Sequence, residues 1–172
     1  VEVIKGGCYL IDEVLVIRES IPIFYFNQNP KIAMTENWYL LQSGFFVALT
    51  QFASETTEQK VKYVVLENRV YALDEVSNIL VIFGDETQVD DTLLKNFQAT
   101  MGKAIKYLDY LLDKHKIAGP VLSSIQLDRL SEDFGEYLKQ EKLIKEDVAL
   151  DSKFTRNQLQ KFCLLYTSDA AD

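Results

Sequence analysis

The sequence predicts an α+β fold in which helices cover both faces of a β-sheet, and three observations lead to this class. Short runs of β-branched and aromatic residues come in closely spaced pairs, which is typical of β-hairpins. Two runs, residues 14–17 and 79–83, are apolar at every position, as in strands buried on both faces. Longer segments repeat apolar residues at helical spacing.

The composition agrees with a folded domain. Of the 172 residues, 48% are hydrophobic and 12% aromatic, which is enough for a sizeable core. The formal net charge of -8 argues against nucleic-acid binding, since phosphate contacts need clustered Lys and Arg. No apolar run approaches the ~18 residues that a membrane span requires. We therefore expect an acidic cytoplasmic protein, peripheral to a membrane at most through a partner.

The last ten residues, Cys163–Asp172, resemble the in-frame translation of an adapter used in shotgun sequencing libraries. This suggests a metagenomic fragment whose natural sequence continues differently after Phe162. With that segment set aside, Cys8 has no partner for an internal disulfide, which favours a reducing compartment. Cys8 itself is expected to be a small buried hydrophobe rather than a nucleophile.

Five strands are predicted, in two hairpins and one single strand. Residues 14–18 and 23–26 form the first hairpin, with Pro22 at an edge where a missing N–H is tolerated. Residues 61–66 and 70–73 flank a short turn and form the second hairpin. Residues 79–83 form the last strand. Because the first and last strands are apolar on both faces, we expect them at the centre of the sheet.

Three helices are expected. The first runs from about Glu36 to Ser54, and its core stripe is predicted to be Trp38, Leu41, Phe45, Leu49 and Phe52. The opposite side of this helix carries Tyr39, Phe46 and Val47. A second apolar side indicates either deeper burial of the helix or a surface for a partner.

The second helix runs from Asp90 to about His115, with an apolar stripe of Leu94, Phe97, Met101, Ile105, Leu108 and Leu112. The third follows the break at Gly119-Pro120 and begins with a capping box over residues 123–126. Its predicted apolar positions are Ile125, Leu127, Leu130, Phe134, Tyr137 and Leu138. The order is therefore β-β-α-β-β-β-α with helical material appended.

The sequence predicts no catalytic, cofactor or metal site. The single histidine, His115, is interpreted as a cation near a helix C-terminus. The acidic residues Asp85, Glu86, Asp90 and Asp91 are interpreted as a solvated turn, because they lack the spacing of a calcium loop. Asp12, Glu13 and Glu19 lie at the ends of a strand, where charges normally meet solvent, and we expect no paired carboxylates for acid–base chemistry.

Two segments resemble the longin and roadblock superfamily. Residues 14–26 are similar to its opening hairpin, and residues 41–53 are similar to the first helix of archaeal longin-like domains. The resemblance covers Cys8 to His115 and implies a five-stranded antiparallel sheet in the order 2-1-5-4-3. It divides the chain into a longin-like domain over residues 1–118 and a helical extension over 119–162. That extension is either the third helix of the fold or the start of a further domain. The lack of a helix before the first strand favours longin over roadblock.

The resemblance implies a protein-binding platform without catalysis of its own. Such domains act as adaptors or regulators of small GTPases or trafficking machinery, or pair with another longin or roadblock domain through an edge strand. The candidate surface comprises Lys62, Tyr63 and Val64 on the edge strand with Tyr39 and Phe46 on the first helix. In the alternative interpretation, Lys62 only protects the edge and the two aromatic residues belong to the core. A second hypothesis is a ligand-sensing domain of the PAS or GAF type, which would need an enclosed apolar cavity beside the sheet.

Overall fold

The computed structural model describes residues 11–28, 38–86, 91–119 and 121–144, apart from the side chains of Trp38 and Leu93. Within these ranges the elements are β1 (Glu13–Arg18), β2 (Ile21–Asn27), α1 (Trp38–Thr57), β3 (Tyr63–Leu66), β4 (Arg69–Val76), β5 (Ile79–Asp85), α2 (Asp91–Lys114) and α3 (Ser124–Gln140). The predicted order of elements is confirmed, and α3 lies in the segment that the sequence assigned to a helical extension.

The five strands form one antiparallel sheet in the order β2-β1-β5-β4-β3. The two central strands, β1 and β5, are paired with each other and with one further strand each. Both are buried along nearly their whole length. The predicted strand order and the central position of the doubly apolar strands are therefore confirmed.

Helices cover both faces of this sheet. On one face, the Tyr39 ring of α1 packs against Tyr25 of β2, with the ring centroids 5.9 Å apart. On the other face, the Phe134 ring of α3 meets Phe24 edge-on at 4.9 Å. Because neighbouring residues of a strand point to opposite faces, Phe24 and Tyr25 show that α1 and α3 lie on opposite sides. The α2 helix contacts β4, β5 and α3 and so shares the face of α3.

Two of the hairpins turn through left-handed backbone. Glu19 and Ser20 have φ of 48° and 68°, and Ser77 and Asn78 have φ of 51° and 65°. Positive φ at both central residues defines the type I′ turn, whose twist matches that of the flanking strands. The β1–β2 register shifts between Val16 and Ile17, and this irregularity places Pro22, which has no N–H to donate, opposite Ile17.

The predicted core stripe of α1 is wrong. Leu41, Phe45 and Phe52 are 66%, 54% and 65% exposed, and the helix packs on the sheet with the side that carries Tyr39 and Phe46. Large apolar residues lie on both of these sides of α1, so periodicity alone could not choose which side faces the sheet. The outer side of α1, defined by Leu41, Phe45 and Phe52, is left without cover in the described part of the chain.

The other two helices agree more closely with the sequence. The α2 stripe from Phe97 to Leu112 is buried as predicted, while Leu94 is half-buried. The α3 helix has the predicted capping box, in which Ser123 and Gln126 exchange hydrogen bonds. Ile125 was expected in the core but is 62% exposed, because it lies on the outer side of the first turn. Of the helices described, none has the length and apolar character to cross a membrane.

Candidate functional site

A buried cluster of charges lies where β4 begins, and Arg69 is its centre. Its Nη1 and Nη2 atoms donate to the two carboxylate oxygens of Asp12 at 3.0 and 2.8 Å. Nη2 also donates to Glu13, and Nε donates to the Tyr71 hydroxyl at 2.8 Å. This forked geometry, which only arginine offers, ties β4 to the start of β1.

The backbone makes room for this cluster at one position. Gly84 pairs with Glu13 on one side and with Tyr71 on the other. A Cβ at residue 84 would lie 2.8 Å from Arg69 Nη2 and 3.0 Å from a ring carbon of Tyr71. Glycine at this position therefore allows the guanidinium to approach the backbone of β5 closely.

Two expectations about acidic residues are corrected here. Glu13 is only 2% exposed and Asp85 only 7%, so neither is a solvated charge at a strand end or turn. Glu13 is buried because Arg69 compensates its charge, although burial still raises its pKa. Burial raises the pKa of Asp85 to about 6, and the Oδ2 atom of Asp85 accepts no hydrogen bond within the described residues.

The cluster is largely shielded from solvent. The Arg69 side chain is 11% exposed and the Asp12 side chain 15%, so little of it can meet a substrate. Among the described residues, no three His, Cys, Asp or Glu side chains are grouped so that they could hold a metal ion. The hydrogen bonds of Arg69 to Asp12 and Glu13 link the start of β4 to the start of β1 at one end of the sheet.

His115 belongs to a second, smaller cluster, which ties α2 to α3. Its Nε2 atom lies 2.9 Å from Asp133 Oδ2, and Lys114 Nζ donates to the same oxygen at 3.0 Å. Both basic residues stand at the C-terminal end of α2, where the helix dipole favours positive charge. This position agrees with the interpretation of His115 as a residue of the helix end.

The edge strand β3 exposes hydrogen-bonding backbone. The Lys62 carbonyl accepts from the Leu73 N–H at 2.8 Å, so the backbone of residue 62 faces β4. Because this orientation alternates along an antiparallel strand, the N–H and C=O groups of Tyr63 and Val65 face away from the sheet. The side chains of Val65 and Leu66 are 56% and 54% exposed. This edge is an apolar template for another strand.

The five predicted binding residues separate into two groups. Lys62, which directly precedes β3, is exposed, and Tyr63 and Val64 of β3 are half-buried. The Tyr63 hydroxyl donates to the Leu94 carbonyl at 3.0 Å. Tyr39 and Phe46 are only 3% and 2% exposed, as the alternative interpretation holds, because α1 turns them toward Tyr25 and Tyr71 of the sheet.

Sequence reasoning missed other exposed apolar residues. Val65 and Leu66 lie beside the predicted edge residues, and Leu41, Phe45 and Phe52 were assigned to the core. Residues 61–66 carry one charge in an otherwise apolar run, which was a usable signal for β3. No such signal existed for α1, because both of its sides carry large apolar residues.

Two adjoining grooves lie beside the C-terminal half of α1. One has a volume of about 370 Å³ and the other about 230 Å³, and both are lined by Thr50, Ser54, Glu75 and Leu80. Most of the lining residues are polar and exposed, unlike the enclosed apolar cavity that a ligand-sensing domain would need.

The chain matches no known protein-family model, and no curated protein is significantly similar to it. Cys8 and the segment Cys163–Asp172 lie outside the described residues.

Proposed function

We propose that this chain is a protein-interaction domain that binds its partner by strand addition at β3. It acts as an adaptor or regulator of a small GTPase or of trafficking machinery, without catalysis of its own. The observation that carries this proposal is the edge of β3, where backbone groups of Tyr63 and Val65 face outward beside the exposed side chains of Val65 and Leu66.

The energetics of this edge favour a protein partner. Each backbone hydrogen bond that an added strand makes contributes only about 0.5–1.5 kcal/mol. The exposed side chains supplement these bonds, since apolar burial contributes about 25 cal/mol per Å². Lys62 at the start of the strand and Glu67 after its end restrict unselective pairing, as charged residues commonly do at sheet edges.

Two side chains of β3 share a face of the sheet with α1. Val64 pairs with Tyr71, and Tyr71 projects toward α1, where its ring meets Phe46 at 5.1 Å. Val64 and Leu66 therefore project from the face of the sheet that α1 covers.

The class of partner rests on the resemblance of residues 14–26 and 41–53 to longin and roadblock domains. The strand order is compatible with that resemblance. A small GTPase or another domain of the same superfamily is therefore the partner to test first.

A substitution on β3 tests strand addition. Val65→Lys places a charge at the centre of the exposed edge, and we expect it to weaken partner binding and any self-association through β3 about tenfold, equivalent to about 1.4 kcal/mol. Val121→Lys makes the same change at a valine that is 63% exposed outside the sheet, and it should have no effect. Binding is measured by isothermal titration and self-association by sedimentation equilibrium.

A second variant tests strand addition without adding a charge. Val65→Pro removes an N–H that faces away from β4, so the fold should persist while strand addition is blocked. Circular dichroism checks the fold. If both variants bind as the unmodified chain does, strand addition at β3 is excluded. If GTPases from the same source, loaded with GDP or a GTP analogue, form no complex with the chain, the assignment of the partner class fails.

A further inference from the structure

The outer side of α1 combines large and small residues in one exposed stripe. Leu41, Phe45 and Phe52 are 66%, 54% and 65% exposed. Gly44 and Ala48 lie between them and are exposed as well. The positions 41, 45, 48 and 52 are separated by four, three and four residues, which is the spacing found in helices that pair side by side. The stripe therefore has the pattern of a helix–helix contact over about three turns of α1.

The packing of the described chain gives no reason for a glycine at residue 44. A Cβ built on Gly44 meets nothing within 4 Å. Gly44 lies in the interior of α1, where glycine is the least favourable residue apart from proline. A second helix supplies a reason, because the distance between two packed helices depends on the size of the side chains at their contact. Gly44 and Ala48 form a notch that admits a large side chain from outside.

The distribution of charge favours a second copy in the antiparallel direction. The net charge of -8 makes two copies repel each other, and α1 carries a single charged residue, Glu55. In an antiparallel pair centred between Phe45 and Ala48, the two Glu55 residues are about 25 Å apart along the helices. This distance exceeds the screening length of about 8–10 Å. In a parallel pair the two carboxylates would be neighbours.

We propose that the outer side of α1 pairs with α1 of a second copy of this chain in a symmetric, antiparallel dimer. A two-fold axis makes every contact reciprocal. With the axis midway between residues 46 and 47, Phe45 of each copy lies over Ala48 of the other, and Leu41 lies over Phe52. The two central layers each place one ring over one small side chain, and the absence of a side chain at Gly44 leaves room for that ring.

The exposed apolar area suits a small specific dimer. Since a Phe side chain has a surface of about 150–250 Å², the exposed parts of Leu41, Phe45 and Phe52 amount to roughly 300 Å² per copy. The smallest specific interfaces bury about 1,200 Å² in total, of which a little over half is apolar. Two copies supply most of this apolar share. We therefore expect a reversible dimer with a Kd of about 1–100 μM.

Sedimentation equilibrium of the whole chain measures this Kd. Phe45→Glu replaces the central ring by a charge, and we expect it to raise the Kd at least about thirtyfold, as for a central aromatic anchor. Tyr110→Glu is the matched control, because Tyr110 on α2 is 55% exposed and receives the same charge. It should dimerise as the unmodified chain does. Circular dichroism checks that both variants are folded.

A mixture of two variants tests the pairing of residues 45 and 48. Phe45→Ala leaves both central layers without a ring, and Ala48→Phe places two rings in each layer, so each variant alone should dimerise about tenfold more weakly. In the mixed dimer each central layer again holds one ring. Isothermal titration of one variant into the other should therefore give a Kd within about threefold of the unmodified value. This recovery requires the antiparallel pairing.

The proposal fails if the chain stays monomeric up to about 1 mM, since the outer side of α1 would then be left to another partner or to residues outside the described ranges. It also fails if Phe45→Glu and Tyr110→Glu weaken dimerisation equally, or if the mixture shows no recovery. The inference does not rest on strand addition, and Val65→Pro should leave the dimer intact. Loss of the dimer in Val65→Pro but not in Phe45→Glu would place self-association at β3 instead.

Discussion

Arg69 and Gly84 depend on each other. The guanidinium reaches Asp12 and Glu13 across β5, and it can do so because residue 84 has no side chain in its path. The absence of a side chain at residue 84 thus permits the buried ion pairs of Arg69 with Asp12 and Glu13. Two predictions follow at the scale of single residues.

Gly84→Ala should lower the free energy of unfolding by about 1–3 kcal/mol, since the new methyl group overpacks a filled site. Gly44→Ala is the matched control, because a Cβ at this helical position meets nothing within 4 Å. It should stabilise the chain by about 1 kcal/mol through helix propensity. Urea denaturation measures the free energy of unfolding of both variants. If the two substitutions change it in the same direction, the explanation for Gly84 is refuted.

Asp85 should make stability depend on pH. Its pKa is about 6 in the folded chain against an ordinary 3.8, so the folded state holds the proton more tightly than the unfolded state does. Stability should therefore fall as the pH rises from about 4 to about 6 and then level off. Asp85→Asn should reduce this dependence and raise stability at pH 7 by about 1–3 kcal/mol.

Thermal denaturation between pH 4 and pH 8 checks this prediction. Asp113→Asn, at an exposed position of α2, is the control, and its stability should depend on pH as that of the unmodified chain does. If the stability of Asp85→Asn depends on pH as strongly as that of the unmodified chain, a group other than Asp85 causes the dependence.

The charged cluster could not be inferred from local sequence. Arg69 follows Glu67 and Asn68 and was assigned to a turn, and its partner Asp12 is 57 residues away in the chain. Only the pairing of β1 with β5 and of β5 with β4 brings the two together. Periodicity describes neighbours within an element, so it carries no information about such long-range contacts.

At the scale of elements, burial of the strands was predictable and the orientation of α1 was not. Strands 14–17 and 79–83 are apolar at every position, and this pattern predicts burial on both faces of a covered sheet. The α1 helix contains one charged residue, Glu55, so no polar side marks the solvent. Its orientation depends on specific contacts, such as Phe46 against Tyr71, that have no signature in the sequence.

The α3 helix offers a test of whether it belongs to the same cooperative unit as the sheet. Phe134 is fully buried and packs edge-on against Phe24 of β2. Phe134→Ala should lower the free energy of unfolding by about 3–5 kcal/mol and shift a single transition. Ile125→Ala, at an exposed position of the same helix, should change stability by less than about 0.5 kcal/mol.

Circular dichroism and tyrosine fluorescence, followed in the same denaturation, measure this effect. If Phe134→Ala separates the two signals into distinct transitions, α3 is a separate unit and residues 119–162 begin a further domain, which is one of the two alternatives left open by the sequence.

At the scale of the molecule, the fold leaves its apolar surface unevenly distributed. The two central strands are covered on both faces, while β3 and the outer side of α1 keep exposed apolar side chains. The fold class and strand order could be predicted because they depend on the hydrophobic pattern of whole segments. The candidate binding surface was predicted only in part, since its exposure depends on which side of α1 meets the sheet.

The strand order also governs how the chain can fold as it is synthesised. The first strand pairs with the last, and Glu13 meets Gly84 across the centre of the sheet. While a ribosome is still adding the intervening residues, β1 and β2 form only a hairpin with one open inner edge. The sheet cannot close until residue 85 has left the exit tunnel. The nascent chain therefore carries an aggregation-prone edge on β1, and a chaperone that holds residues 14–17 would be most useful during this interval.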